Sequence, residues 1–218
     1  MKRSEIRLTF ASILVCVFAS SCSHIAHRAG VEPGINTSLL YAPSFEHIDH
    51  PKLGADPNEK FSGPGYTDIQ FNLGYAWEFD NNRRFLLQGM FFANPHLIPS
   101  LDLYWQFSSA PEYSNGGFGA ILGPDAMAYF LWGRDLIGRG NDDFRMGVDV
   151  GTGVAVGPSF LCQPMISFYC KGLTAGLFSE YRYFLNPRNN YDYDKDYDPR
   201  LRSRIVGGVI LFFSPSRR

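Results

Sequence analysis

Lysine is scarce in this chain, five in 218 residues. A sheet with one face in water ordinarily covers that face with Lys, Glu and Thr and guards its edges with Lys, so the scarcity argues against a conventional water-facing sheet. Long apolar runs are absent as well: no stretch reaches the roughly 18 residues a membrane-spanning helix needs. Neither heptads nor a solenoid-period repeat is present, which removes coiled coils and repeat arrays. No charge sign dominates, since 20 basic and 21 acidic residues leave a net charge of −1, and the basic footprint of a nucleic-acid-binding protein is missing. No cofactor is implied.

What the chain has in quantity is aromatics, at 16%, and glycine, at 22 residues, both high for an ordinary soluble domain. Its start, MKRSEIRLTFASILVCVFASSC, has a basic opening (Lys2, Arg3, Arg7), an apolar run from Leu8 to Phe18, then small residues. That run is too short to span a bilayer as a helix, so residues 1–21 are expected to be a signal peptide and the mature chain to work outside the cytoplasm. Ala19-Ser20-Ser21-Cys22 resembles the bacterial lipoprotein box, with Ala19 where Leu is usual. Cys22 is then the acylated first residue, although Ala19 and Ser21 also suit ordinary signal peptidase. With Cys16 removed and Cys22 acylated, Cys162 and Cys170 are left as an even pair in an oxidising compartment. A disulfide between them is expected, the alternative being two unpaired buried thiols.

Three segments alternate at the period of a strand. In YTDIQFNLGYAWEF, Thr67, Ile69, Phe71, Leu73, Tyr75, Trp77 and Phe79 oppose Tyr66, Asp68, Gln70, Asn72, Gly74, Ala76 and Glu78. In SLDLYWQFS, Leu101, Leu103, Trp105 and Phe107 oppose Ser100, Asp102, Tyr104, Gln106 and Ser108. In FRMGVDVGTGVAVG, a row of mostly Val opposes Arg145, Gly147, Asp149, Gly151, Gly153, Ala155 and Gly157. Successive side chains of a strand point to opposite faces, so each segment has one apolar face and one small or charged face. Glycines on a solvent face weaken a strand without return, whereas inside a narrow barrel they make room for Arg145 and Asp149. The polar face is therefore expected to look inward and the apolar face toward lipid.

The pattern predicts strands over 35–44, 66–79, 84–93, 100–108, 116–133, 143–157, 171–185 and 202–213, with residues 22–34 a lipid-anchored tether and 214–218 a polar tail. Eight strands are preferred. Ten follow if Gly123-Pro124-Asp125 splits the fifth and a hairpin forms around Gln163-Pro164. No His falls in these strands. Loops 45–65 and 186–201 are the longest and lie on one side, opposite short turns such as Asp80–Arg83, with the connection 158–170 as an exception. Trp77, Phe79, Phe107, Phe212 and Phe213 gather at strand ends, as in an interfacial aromatic girdle.

Over 35–213 these features resemble the small eight-stranded outer-membrane barrels of Gram-negative-type bacteria. The resemblance implies an all-β, single antiparallel up-and-down barrel. It departs from that group in continuing past Phe213 with Ser-Pro-Ser-Arg-Arg and in carrying an acyl anchor. Inside such a barrel Asp68, Glu78, Asp102, Asp149 and Glu180 share the lumen with Arg145, Arg182 and Arg204, and opposite signs should meet across it.

The remaining candidates carry weaker signals. Asp192, Asp194, Asp196 and Asp198 alternate in NYDYDKDYDP and could face one way toward a hard cation, but lack the glycine and closing Glu of an EF-hand loop. Tyr191, Tyr193 and Tyr197, interleaved with them, suit a recognition surface. Glu46-His47-Ile48-Asp49-His50 is metal-capable but has no helical frame. EYSNGG, Glu112 to Gly117, is similar to the His-x-Ser-Asn segment of outer-membrane lipid A deacylases. Glu112 stands at the position of the base, which leaves Ser114 without an activator.

The expectation is a non-enzymatic outer-membrane barrel lipoprotein. Its partners would be outer-membrane lipid and an extracellular ligand or surface met through loops 45–65 and 186–201. The rivals are a soluble periplasmic barrel lipoprotein that binds a hydrophobic ligand and, third, a lipid-modifying enzyme.

Overall fold

Strand-period alternation runs through the described chain and builds a single closed sheet. The computed structural model describes residues 24–49, 60–79, 83–94, 96–108, 114–123, 126–138, 144–155, 159–170, 173–185 and 200–213. These form ten strands and no helix: β1 (Gly34–Asp49), β2 (Lys60–Glu78), β3 (Arg84–Asn94), β4 (His96–Ser108), β5 (Ser114–Leu122), β6 (Met127–Ile137), β7 (Phe144–Ala155), β8 (Ser159–Cys170), β9 (Leu173–Phe184) and β10 (Arg200–Phe213). Each pairs antiparallel with its neighbours in sequence, and β10 returns to pair with β1. Closure leaves no unpaired edge, which accounts for a sheet that does without edge lysines.

The strand count corrects the preferred eight to ten. Gly123 and the residues after it do split 116–133, into β5 and β6. The second extra strand is not a hairpin at Gln163-Pro164, however, but the continuous β8, which occupies the expected connection 158–170. Pro164 has no N–H to donate, and the pairing of β8 with β9 steps from Cys162↔Tyr181 to Met165↔Phe178 without a partner for it. The proline disguised a strand as a loop. Loops 45–65 and 186–201 shrink for a related reason: β1 runs on to Asp49, β2 begins at Lys60 and β10 at Arg200. The longer strands also take in His47 and His96, against the expectation that no His lies in a strand.

Gly34 and Phe213 lie at one mouth, with the connections after β2, β4, β6 and β8. The opposite mouth carries the two longest connections, 50–59 and 185–199. We call these the terminal mouth and the loop mouth.

Side chains divide by face. Ile69, Leu73 and Trp105 point outward with 42%, 49% and 42% of their surface exposed, while Asp68, Asn72 and Asp149 point inward at 4%, 0% and 1%. Exposed apolar residues occur on all ten strands, from Ile35 on β1 to Phe213 on β10. Toward the terminal mouth the outer rings touch one another: Trp77 stacks on Phe85 with centroids 6.0 Å apart, Phe79 on Trp105 at 5.6 Å, and Phe107 lies against Phe118 at 5.6 Å. Inside, β5 offers Gly117 and Gly119 to two tyrosines. A Cβ at Gly117 would stand 2.6 Å from Tyr104 Cζ, and one at Gly119 would collide with the Tyr129 ring. These rings are parallel within 5°, with centroids 6.1 Å apart.

Candidate functional site

The lumen is filled by the chain itself. Residues 24–31, directly ahead of β1, run inside the barrel, and His24, Ile25, Ala26, His27, Ala29 and Val31 are buried. Read from sequence as part of a tether over 22–34, the described stretch is packed against the wall rather than laid in solvent.

Extended backbone buried away from other strands must find partners for its N–H and C=O groups, and wall side chains supply them. Gln163 grips one residue from both sides: Ile25 N–H donates to its Oε1 at 3.1 Å and its Nε2 donates to Ile25 O at 2.7 Å. Ala29 N–H donates to Asp149 Oδ1 at 2.9 Å, and Val31 N–H to Gln106 Oε1 at 3.0 Å. The Ser38 hydroxyl donates to Ala26 O at 2.9 Å, and the Tyr104 hydroxyl to Ala29 O at 3.0 Å. The Arg84 guanidinium donates to Val31 O. Inward side chains from five strands thus take the place of the backbone partners a neighbouring strand would supply.

The segment's side chains meet the wall's charges. His24 presents Nδ1 to Glu180 Oε2 at 2.6 Å and Nε2 to Asp68 Oδ2 at 3.1 Å. Ionised carboxylates only accept, so both bonds form when both ring nitrogens carry hydrogen. The same carboxylates bind wall guanidiniums: Arg204 Nη2 donates to Asp68 Oδ2 at 2.8 Å and Arg182 Nε to Glu180 Oε1 at 3.2 Å. His27 Nε2 lies 2.7 Å from the Tyr129 hydroxyl, which donates to Asp102 Oδ1 at 2.7 Å. Arg28 donates through Nη2 to Asp135 Oδ1 at 2.7 Å and through Nε to Asp149 Oδ2 at 3.1 Å. The wall carboxylates Asp68, Asp135 and Glu180 meet wall guanidiniums at Arg204, Arg145 (4.0 Å from Asp135) and Arg182, and the segment brings His24 to Asp68 and Glu180, His27 to Asp102, and Arg28 to Asp135 and Asp149.

Glycines open the space. A Cβ at Gly151 would stand 2.6 Å from Ile25 Cδ1, and one at Gly133 would be 3.0 Å from Ala29 Cβ and would strike Asp149 Oδ1. At Gly147 a Cβ would meet the Arg28 guanidinium. The small inner face of β7, ascribed from sequence to a narrow barrel, is a groove cut for residues 25–29.

Of the candidate lumen charges, Asp68, Asp102, Asp149, Glu180, Arg182 and Arg204 are buried inside. Glu78 and Arg145 sit at the terminal mouth: Glu78 accepts from Arg84 Nη2 at 3.2 Å, and the Arg145 guanidinium lies 4.2 Å over the Tyr169 ring with Glu32 3.7 Å away. Sequence reading missed Asp135, Gln106, Gln163 and the segment's His24, His27 and Arg28. The run His24-Ile25-Ala26-His27-Arg28 suits a solvated tether equally well and carries no period of its own.

The expected disulfide is overturned. Cys162 and Cys170 are free and both exposed. They lie on the outer face of one strand, β8, eight positions apart, which is about 26 Å at strand rise against the roughly 4–7 Å a disulfide allows between Cα atoms. Cys22, Glu112, His50 and the residues Tyr191, Asp192, Tyr193, Asp194, Asp196, Tyr197 and Asp198 lie outside the described residues, as do the side chains of Glu46, His47 and Asp49. Among the described residues no group of three or more His, Cys, Asp or Glu side chains is arranged to hold a metal ion.

No family model and no curated protein matches the chain.

Proposed function

We propose that the protein is an outer-membrane β-barrel lipoprotein, acylated at Cys22 after removal of residues 1–21, whose lumen is stoppered by its own N-terminal segment. Its role is structural or one of surface contact through the loop mouth, and it is not catalytic. The observation that carries this reading is the inversion of the two faces. Large apolar side chains are exposed on every strand, while buried charges and amides such as Asp68, Gln70, Asn72, Asp102, Asp149 and Glu180 share the interior with apolar side chains. Water penalises such an outer surface, and exposed apolar patches of this extent mark contact with lipid or another apolar phase. Lipid penalises the reverse arrangement.

The rival, a soluble barrel that binds a hydrophobic ligand, needs a roomy apolar interior. This interior holds five carboxylates and is occupied by residues 24–31. An enzyme acting on lipid would need a base beside Ser114, and Glu112 is a poor substitute for the His of that chemistry. Unchanged lipid A mass spectra with and without expression are the expected result there.

Two experiments test the membrane reading. Val150 on β7 lies on the outward face and pairs with Trp132 and Pro164. Val150→Arg is expected to cost about 2–4 kcal/mol while leaving a folded protein that still requires detergent; folding to a detergent-free soluble form refutes the reading. Mature protein lacking Cys22 is expected to stay with outer membranes, and release into buffer refutes it equally.

A further inference from the structure

The segment inside the barrel has a direction. Val31 is held by Arg84 and Gln106, next to the terminal mouth where β3 begins and β4 ends. His27 reaches Asp102, further along β4, and His24 reaches Glu180, four residues short of the end of β9 at the loop mouth. From Val31 through His27 to His24 these contacts move away from the mouth the segment entered, while Arg28 and Ala26 still reach Asp135 and Ser38 nearer that mouth.

We infer that the chain passes through its own barrel, so that Cys22 and its acyl chains emerge at the loop mouth and anchor in the leaflet on the side of connections 50–59 and 185–199, not in the leaflet beside Gly34. This deepens the proposed function and rests on its barrel and acylation.

Chain reach carries the argument. Cys22 is two residues ahead of His24, so its Cα lies within about 7 Å of that of His24. Toward the loop mouth, the four residues from Glu180 to Phe184 rise about 13 Å along the strand, or about 10 Å along the axis at an ordinary tilt. Chain reach from His24 therefore extends to within about one residue of the lip at β9, a gap that thioether-linked glycerol and acyl chains span, while on β2 the wall runs eight residues further, from Asp68 to Lys60. Toward the terminal mouth, the seven residues from Glu180 back to Leu173 on the same strand amount to about 18 Å of axis. Two residues cannot return that far through a filled lumen. A sideways exit is shut, because all ten strands are joined in a closed ladder. The acyl group of a chain seated this way has one route to lipid.

The test uses the full-length protein with a short epitope inserted after Ser23, compared with the same epitope placed in 186–199 and at 80–82. Antibody binding is read on intact and on permeabilised cells. The expected result is that the Ser23 epitope behaves as the one in 186–199 and opposite to the one at 80–82; grouping with 80–82 overturns the inference. A trap keeps the test valid if the insertion disturbs folding. A Cβ at Gly30 would lie 3.8 Å from Asn115 Cβ, the separation a disulfide spans. In a chain with Cys162 and Cys170 changed to Ser, Gly30→Cys with Asn115→Cys is expected to give an internal disulfide in palmitate-labelled protein. Labelled protein that stays reduced under oxidant overturns the threading. Failure of the proposed function looks different: the protein leaves the outer-membrane fraction, or takes up no palmitate.

Discussion

Asp149→Ala is the substitution whose cost follows most directly from the geometry. Asp149 is buried; it accepts Ala29 N–H at 2.9 Å and Arg28 Nε at 3.1 Å. Truncation orphans a buried backbone N–H, worth about 1–3 kcal/mol. It also removes one of the two carboxylates that Arg28 binds; a charge-assisted bond contributes about 1.5–3 kcal/mol, and the surviving bond to Asp135 at 2.7 Å retains part of the total. The expected loss is about 3–5 kcal/mol, the range for breaking a buried ion pair from one side. Asp149→Asn, which keeps an acceptor for Ala29 but not the charge, is expected to cost about half as much. The assay is urea unfolding of protein refolded into detergent or lipid, followed by tryptophan fluorescence. Combining Asp149→Ala with Arg28→Ala should show a coupling of about 1.5–3 kcal/mol. Two single losses that add within about 0.5 kcal/mol would refute the contact, because residues that do not touch are additive on that scale.

Gly119→Val places branched carbons where the Tyr129 ring lies and unseats the hydroxyl that joins His27 to Asp102; overpacking and lost bonds together should cost about 2–4 kcal/mol in the same unfolding assay. Alkylation of the folded protein in detergent should label both Cys162 and Cys170, with equal incorporation before and after reductant. Full-length protein in planar bilayers should give no steady conductance, since the segment occupies the lumen; regular open steps would contradict a filled barrel.

How much of this was legible in sequence depended on whether a residue's role was set by its own strand. Ile69, Leu73 and Trp105 alternate with Asp68, Asn72 and Gln106, and the inward or outward sense of each was readable from period alone. Closure into one antiparallel barrel followed from the same rule, and the alternative count of ten strands is the correct one. Pro164 hid β8 because proline ordinarily ends or edges a strand, while in β8 it costs a single ladder bond. The lumen segment was unreadable for a different reason. A stretch held by side chains from eight strands shows no periodicity of its own, and its partners lie far away in sequence: 75 residues between Val31 and Gln106, 156 between His24 and Glu180. Polar groups that read as solvated were matched one by one to acceptors that only the closed barrel brings near.

The seam between β1 and β10 is zipped by backbone bonds from Thr37↔Phe213 to Asp49↔Arg200, and it joins the first strand to the last. Nothing can close until the whole polypeptide is present. If the ring shut on an empty bore, Asp149 would lose Ala29 N–H and Arg28, and Asp68 and Glu180 would lose His24, a loss that burial makes costly. The closed ring is therefore more stable with the cord laid along β7 than without it, and residues 24–31 complete the polar lining of the vessel that the same polypeptide builds.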